Sequence, residues 1–533
     1  MKKLIENLRL IDFKHHNLLR YTLFILWSCI VIYLVSKHVF WRDEVRALSL
    51  ALQGNNLVEF FEGLHGEGHP ALWYLMLRLI NSLIHAPQSL PILAFIVAFA
   101  SFMLLVFRSP FNLLLIMLIV MSNFALYEYS VMARNYGISM LILFIIAVCY
   151  EKYRNSGVVL GLLLFLLANC NVHSVILAGS FLMFWLFDSL SIMSINRHRF
   201  FRFFSLNTFI VAIGVVICFV TIYPPFNDAA MSYGANQFTL KAFLSTIFFP
   251  GYSMDLLTPK LLIDKYTLLS TALLYGSTLV LIKRPSALIS TCVTLIVFSC
   301  FFRFIYPGGY RHQALWLVFL ISMYWISLNS KKHDLQISSD SSGMKLGKSN
   351  IQKLGYIFFI ILLIYQVWIG PVKAFAREIK AYPNTFNSLP QSRSFEFAKL
   401  INNSPEYKDA IIVADPDFLL EPLHYYLKNS TYLMREQRFG KVVVFTKNAI
   451  LHLSLADVMR NARALKMKYG KPVLILLKEQ LDSTREFRLI KEGYNWELLL
   501  TPEQIEDFML STKLIARYGP ALSDESFDVY LLK

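Results

Sequence analysis

Charge is scarce in this chain. Asp, Glu, Lys and Arg make up 16% of its 533 residues, against about 25% in an ordinary soluble domain, which excludes a disordered polypeptide and a typical cytosolic enzyme. Cysteine is scarce as well. Cys29, Cys149, Cys170, Cys218, Cys292 and Cys300 all lie in or beside apolar runs, and none follows Pro371. No two are spaced like a zinc site or a redox motif, so a disulfide scaffold is excluded and the six read as small, lipid-compatible core residues. The stretch after Pro371 holds no Gly-rich phosphate loop either. What fills the chain instead is hydrophobic residue, 56% of the total, and the solvent for most of it is lipid.

The formal net charge of +16 raises the question of nucleic acid. Up to Pro371 there are roughly 28 Lys and Arg against roughly 15 Asp and Glu, and beyond it roughly 23 against roughly 20. The excess therefore belongs to the apolar part, where it reads as loop charge that orients helices in a bilayer. No nucleic-acid partner is expected.

Eleven apolar runs are long enough, or nearly so, to cross a hydrocarbon core of about 30 Å: 20–37, 91–107, 110–127, 136–150, 157–169, 173–188, 207–223, 265–282, 286–302, 312–328 and 354–371. The N-terminus (Lys2, Lys3, Arg9, Lys14, Arg20) is basic and carries no small-residue cleavage site, so it reads as the cytoplasmic flank of a retained helix. Lys152 and Arg154, then Arg197, Arg199 and Arg202, then Lys283 and Arg284, then Lys331 through Lys353 mark further cytoplasmic loops. The last contains Ser-Ser-Asp-Ser-Ser-Gly and reads as a flexible linker.

Parity decides one ambiguous segment. The N-terminus and Lys152 share a side only if Pro70–Ala86 does not cross, and its polar face (Tyr74, Arg78, Asn81, Ser82, His85) marks a helix lying in the interface. The stretch after Trp41, with Arg42, Arg46, Ser49 and Gln53 in a stripe, reads the same way. Residues 37–90, 127–135, 224–264 and 303–311 then face outside.

The expected fold is an α-helical polytopic membrane domain of about eleven transmembrane helices over 1–371, with interfacial helices within 38–90, and a C-terminal soluble α/β domain over 372–533, also outside. In that tail, Ala410–Val413, Val442–Phe445, Val473–Leu477 and Val529–Leu532 read as strands, and Ser392–Asn403 and Leu455–Tyr469 as helices, the second closed by Gly470. Asp415, Asp417 and His424 suggest a metal, but a strand-end Asp-Pro-Asp turn beside a surface His is the favoured reading.

The outer face collects polar groups that a membrane protein rarely keeps without use. They are Trp41-Arg42-Asp43-Glu44, His65 to Pro70, Tyr127 to Tyr136, Asn171-Val172-His173, and Arg303 with Tyr306 to His312. Singly, each has an ordinary explanation: Asp43 caps a helix, Arg134 and Arg311 snorkel, Trp41, Tyr127 and Tyr129 are belt aromatics. Together they place a carboxylate opposite several cations. That arrangement suits transfer of a group from a phosphate leaving group to a hydroxyl, with the carboxylate as general base and the cations on the departing phosphate.

Trp-x-Asp-Glu (Trp41 to Glu44), Gly-His-Pro-Ala-Leu-Trp-Tyr (Gly68 to Tyr74) and Tyr-Ser-x-x-Ala-Arg-x-Tyr (Tyr129 to Tyr136) resemble the C-type glycosyltransferase (GT-C) superfamily. The likeness is to the branch with protein O-mannosyltransferases and the lipid A aminoarabinose transferase. The resemblance implies a membrane glycosyltransferase that takes a sugar from a polyprenyl-phosphate donor on the outer side, with two interfacial helices in its first outer loop. It implies Asp43 as catalytic base and Glu44 as its acidic neighbour. Glu67 and His69 match the second outer-loop element, and Arg134 and Tyr136 the donor-phosphate signature. One departure is Met132, where relatives carry an acidic residue or Gln; Glu128 is the nearest carboxylate, and whether a divalent metal takes part stays open. Arg303, Arg311 and His312 are added as phosphate ligands on charge and side alone.

The expectation is an inverting transfer to a hydroxyl on a glycan, lipid or protein acceptor, at a bacterial inner (plasma) membrane. The alternative is a transporter or flippase of lipid-linked sugars, which would favour inverted repeats and broken helices near mid-bilayer; neither is evident in the sequence.

Overall fold

A computed structural model of the chain describes residues 16–191, 197–223, 238–259, 267–334, 342–379, 389–481 and 487–533. The basic residues Lys2 to Lys14, the 224–237 part of one expected outer loop and 335–341 of the expected linker lie outside them. Lipid offers no hydrogen bonds to a bare backbone, so apolar runs close their own as helices. α1 (His16–Lys37) leads into a first loop of three short helices, α2 (Arg42–Ala51), α3 (Leu57–Leu64) and α4 (Leu72–Ile84). There follow α5 (Ser89–Arg108), α6 (Leu113–Val120), α7 (Tyr136–Tyr153), α8 (Val159–Ala168), α9 (Val172–Leu190) and α10 (Arg197–Ile222). α11 (Leu240–Phe248), α12 (Thr267–Thr278), α13 (Pro285–Phe304), α14 (Tyr310–Asp334) and α15 (Ser342–Ile379) complete the helical part.

Among the described residues seven helices, α1, α5, α7, α9, α10, α13 and α15, are long and apolar enough to cross a membrane. The chain is an integral membrane protein and the bilayer is its partner. Four of the eleven expected spans fall outside these seven, and one of the four, 312–328, lies within α14. The 110–127 run breaks into the eight-residue α6 and a π-turn at Phe124–Glu128, and at 1.5 Å per residue α6 reaches only about 12 Å. The 157–169 run yields ten residues in α8, and 265–282 yields α12 with a 3-10 turn at Leu279–Leu281. Pro371, where the expected division falls, lies inside α15, whose backbone stays helical to Ile379. Most of the expected linker, apart from 335–341, is likewise helical, as the ends of α14 and α15.

The first-loop helices are too short to cross, and part of their polar stripes, including Tyr74 and Arg78 of α4, packs against protein, while Ser82 and His85 are exposed. Arg78 of α4 donates to the carbonyls of Gln53 (2.7 Å) and Gly54 (2.8 Å) and covers the Phe60 ring. Leu79 and Leu83, on the other side of α4, are exposed, as are Leu57 and Val58 of α3.

Small residues and buried amides glue the helices. Gly161 of α8 lies so close to α10 that an added Cβ would meet Asn207 Oδ1 at 2.5 Å, and its amide donates to that oxygen at 2.9 Å. At the far ends of α7 and α9 from the first loop, Asp188 accepts from Arg284 at 2.7 Å through both oxygens, from Tyr150 at 2.8 Å and from Ser286 at 3.0 Å. Arg154 and Arg284, expected as loop anchors, are therefore joined to this knot.

The tail is a sheet-containing domain that begins with α16 (Ser394–Asn403). A six-stranded sheet runs in the order β3-β2-β1-β5-β9-β8, and a second has the order β4-β7-β6. The strands are β1 (Ile411–Asp415), β2 (Thr431–Leu433), β3 (Arg438–Phe439), β4 (His452–Ser454), β5 (Val473–Leu477), β6 (Arg488–Lys491), β7 (Glu497–Leu500), β8 (Thr512–Tyr518) and β9 (Phe527–Leu532). β1 pairs parallel with β2 and β5, while β9 is antiparallel to β5 and β8. α17 (Leu455–Tyr469) and α18 (Pro502–Ser511) flank them, and Gly470 closes α17 at φ +64° as expected. One expected strand does not form. Val442–Phe445 is a loop because side chains take its backbone: Val443 N donates to Glu421, Val443 O accepts from Arg46, and Val444 N donates to Glu436.

Candidate functional site

The site forms where α2 begins. Glu44 accepts from the Trp41 amide (3.3 Å), which starts the helix, and also from the Ala133 amide (2.6 Å) and His38 Nε2 (2.9 Å). Its fully buried carboxylate thus ties the first loop to the 129–136 turn. Glu44, expected as the acidic neighbour of the base, does not line the cavity described below.

The tie brings Arg134 to Asp43. Arg134 Nη1 donates to the Asp43 carbonyl at 2.6 Å and lies 3.3 Å from its carboxylate, while Nη2 reaches His69 Nε2 at 2.9 Å. Arg42 Nε stands 3.6 Å from the same carboxylate and Arg311 Nη2 3.8 Å. Three cations from three segments surround one acid. Burial pushes the Asp43 carboxyl up, but Arg134, Arg42 and Arg311, with a smaller contribution from His69, outweigh it and hold its pKa at about 2. Burial, reinforced by Arg134, depresses His69 to about 3. A guanidinium only donates, so His69 Nε2 accepts and the ring carries its proton on Nδ1.

Behind Arg134 lies a buried niche. Tyr136 opens α7, His173 lies in the first turn of α9, and His312 in the first turn of α14. The Tyr136 hydroxyl meets His312 Nε2 at 2.7 Å, and the His173 and His312 rings lie 4.8 Å apart. Among the described residues, His69 Nδ1, both ring nitrogens of His173, His312 Nδ1 and Arg311 Nε are buried with no hydrogen bond. Three helix N-termini converge there, each with a partial positive charge. Tyr129 fixes the rim, donating to the Arg311 carbonyl at 2.6 Å.

On its other side Asp43 lines a cavity of about 410 Å³ between the first loop and the sheet domain. Arg46 bridges it, donating to Glu67 (2.8 Å from Nη2), to the Val443 carbonyl (2.9 Å) and to Glu421. The domain holds α2 at its N-terminus as well. Glu525 accepts from the Arg42 amide at 2.7 Å, Asp524 pairs with Arg42 Nη1 at 3.2 Å, and Arg42 covers the Phe418 ring.

Of the residues expected from sequence, Asp43, His69, Arg134 and Arg311 meet directly, and Tyr136 and His312 lie one contact further in. Glu67 lines the cavity, paired with Arg46. Arg303 is exposed at the end of α13 and does not line the cavity. His173 stood in the sequence beside an apolar run and its neighbourhood was visible only in part. Glu421 and Tyr494 gave no signal at all, since Glu421 is 375 positions from its partner Arg46.

No group of three or more His, Cys, Asp or Glu that could hold a metal ion is found among the described residues. The donor set around Asp43 is cationic, which does not suit a metal there. Asp415 is paired with Arg435, Asp417 accepts the amides of Met434 and Arg435, and His424 meets Thr431, which is the structural turn. The sequence matches no protein-family model and no curated protein.

Proposed function

We propose that this protein is a GT-C-like membrane glycosyltransferase that moves a sugar from a polyprenyl-phosphate donor to a hydroxyl on the outer face of the membrane, with Asp43 as general base. The observation that carries the reading is a half-buried carboxylate kept ionised by Arg42, Arg134 and Arg311 between a cationic niche and an open cavity. The acceptor oxygen forms a bond to the anomeric carbon and its proton passes to Asp43. The bond from that carbon to the phosphate oxygen breaks, and its electron pair leaves with polyprenyl phosphate. Attack opposite the leaving group inverts the centre.

A carboxylate held at about 2 is a weak base at neutral pH. A donor phosphate that draws Arg134 and Arg311 to itself relieves that field and raises the basicity of Asp43 when the acceptor is in place. His173 and His312 then stand among the donor-side residues beside Arg134, Arg311 and Tyr136. The reading includes about eleven membrane segments, a cytoplasmic N-terminus, an outer sheet domain and a bacterial inner membrane.

The test is purified protein in lipid with labelled polyprenyl-phosphate sugar. The wild type releases polyprenyl phosphate in the presence of acceptor, and Asp43→Asn folds and inserts but releases none. A fully active Asn variant removes Asp43 as base, and movement of intact donor across the bilayer without release identifies a flippase.

A further inference from the structure

We propose that the cavity between the first loop and the sheet domain is the acceptor subsite, and that the acceptor it takes is a neutral carbohydrate. The inference rests on the glycosyltransferase reading and names the substrate class of the same site. The two sides of Asp43 differ in chemistry. The niche side carries Arg134, Arg311 and buried histidines. The cavity lining carries Arg42, Arg46 and Arg134 against Asp43, Glu62, Glu67 and Glu421, so its charges nearly balance. Arg46 is already taken by Glu67, Glu421 and a backbone carbonyl. Among the described residues of the far wall, a phosphate or sulfate entering there meets carboxylates and an Arg46 that is already committed. A polyol meets acceptors for its hydroxyls.

Two observations point to a ligand. Glu421 is fully buried, lines the cavity, and its Oε2 has no hydrogen bond among the described residues. Beside it stands an aromatic wall: Tyr494 stacks on Phe445 with centroids 3.8 Å apart and planes 18° apart, and both line the cavity. Tyr494 is within electrostatic reach of Asp43 as well as Arg42, Arg46 and Glu421. Apolar ring faces flanked by a few convergent carboxylates bind a sugar through its C–H face and its hydroxyls together. A volume of about 410 Å³ is within the usual range for small-molecule sites. A peptide backbone would need paired strand edges or amide partners, and on this wall the Val443 amide and carbonyl and the Val444 amide are already spent on Glu421, Arg46 and Glu436.

The experiment uses the full chain in lipid nanodiscs over an array of neutral glycans, phosphorylated glycans and Ser- and Thr-containing peptides, with no donor present. Neutral glycans are retained, Tyr494→Ala weakens retention about five- to tenfold, and Tyr494→Trp restores it. Tyr494→Leu, which keeps apolar cover on Phe445, is read in its place where the Ala variant does not fold. Retention of peptides or phosphorylated glycans alone, no retention, or retention indifferent to Tyr494 overturns the proposal. Release of polyprenyl phosphate is measured separately. Glycan retention without any release leaves this inference standing and removes the glycosyltransferase reading, whereas release without retention does the reverse.

Discussion

At the scale of single residues, the site depends on which carboxylate faces what. Asp43 and Glu44 are adjacent in sequence, yet one faces a cavity and the other is sealed against backbone amides. A helix turns about 100° per residue, so neighbours cannot share a face, and only packing decides which of the two points inward. Arg134→Ala removes the guanidinium that joins Asp43 to His69. Its loss raises the apparent KM for donor about tenfold or more, the size of a charge-assisted hydrogen bond. Unchanged donor dependence in steady-state kinetics would take Arg134 out of the site. Asp43 itself, depressed to about 2 from an ordinary 3.8, contributes stability that is present above about pH 4 and is lost as pH falls through about 2. At neutral pH its own titration is silent.

At the scale of elements, α2 is held at its start from three directions: by Glu44 within the loop, by the 129–136 turn, and by Glu525 from the sheet domain. Burial pushes Glu525 up to about 8, against the smaller opposing effects of Ser392 and the Arg42 amide. The folded chain then keeps a proton that the unfolded chain releases near 4.5, so stability declines as pH rises from about 4.5 through about 8. Glu525→Gln preserves the acceptor oxygen in permanently neutral form. Melting curves of the full chain should decline less between about pH 6 and about pH 9 in this variant than in wild type, and equal slopes would show that Glu525 does not titrate there. Asp417, also held up to about 8 by burial, keeps its own share of the slope in both. The strand expected at Val442–Phe445 failed for a reason at this scale too: β-branched residues favour a ladder only while their backbone is unclaimed.

At the scale of the whole molecule, the membrane helices and the sheet domain share one site, and its geometry depends on both. The proposed topology is checked by labelling intact cells with a membrane-impermeant thiol reagent. Lys471→Cys on the exposed surface of the sheet domain is labelled, and Ser156→Cys, in the exposed turn between α7 and α8, is labelled only after lysis. The reverse pattern would invert the assignment of sides. Much of the helical architecture was legible in the sequence, because a bilayer demands apolar runs of fixed length and basic loops on one side. The same reading could not see that α6 gives way to a π-turn or that α8 has only ten residues, since hydropathy measures solvent preference and carries no mark of where a helix breaks. Asp43 with Arg134 was readable because the two lie in compact motifs beside helix starts. The partnership of Arg46 with Glu421, the wall of Phe445 and Tyr494, and the convergence of His173 with His312 were not, because each joins segments far apart in the chain. The sequence by itself determined the solvent of each segment and the chemistry available in the polar loops between the helices. Only the tertiary structure decided which of those groups meet, because contact over hundreds of residues is set by packing, and neither periodicity nor composition carries it.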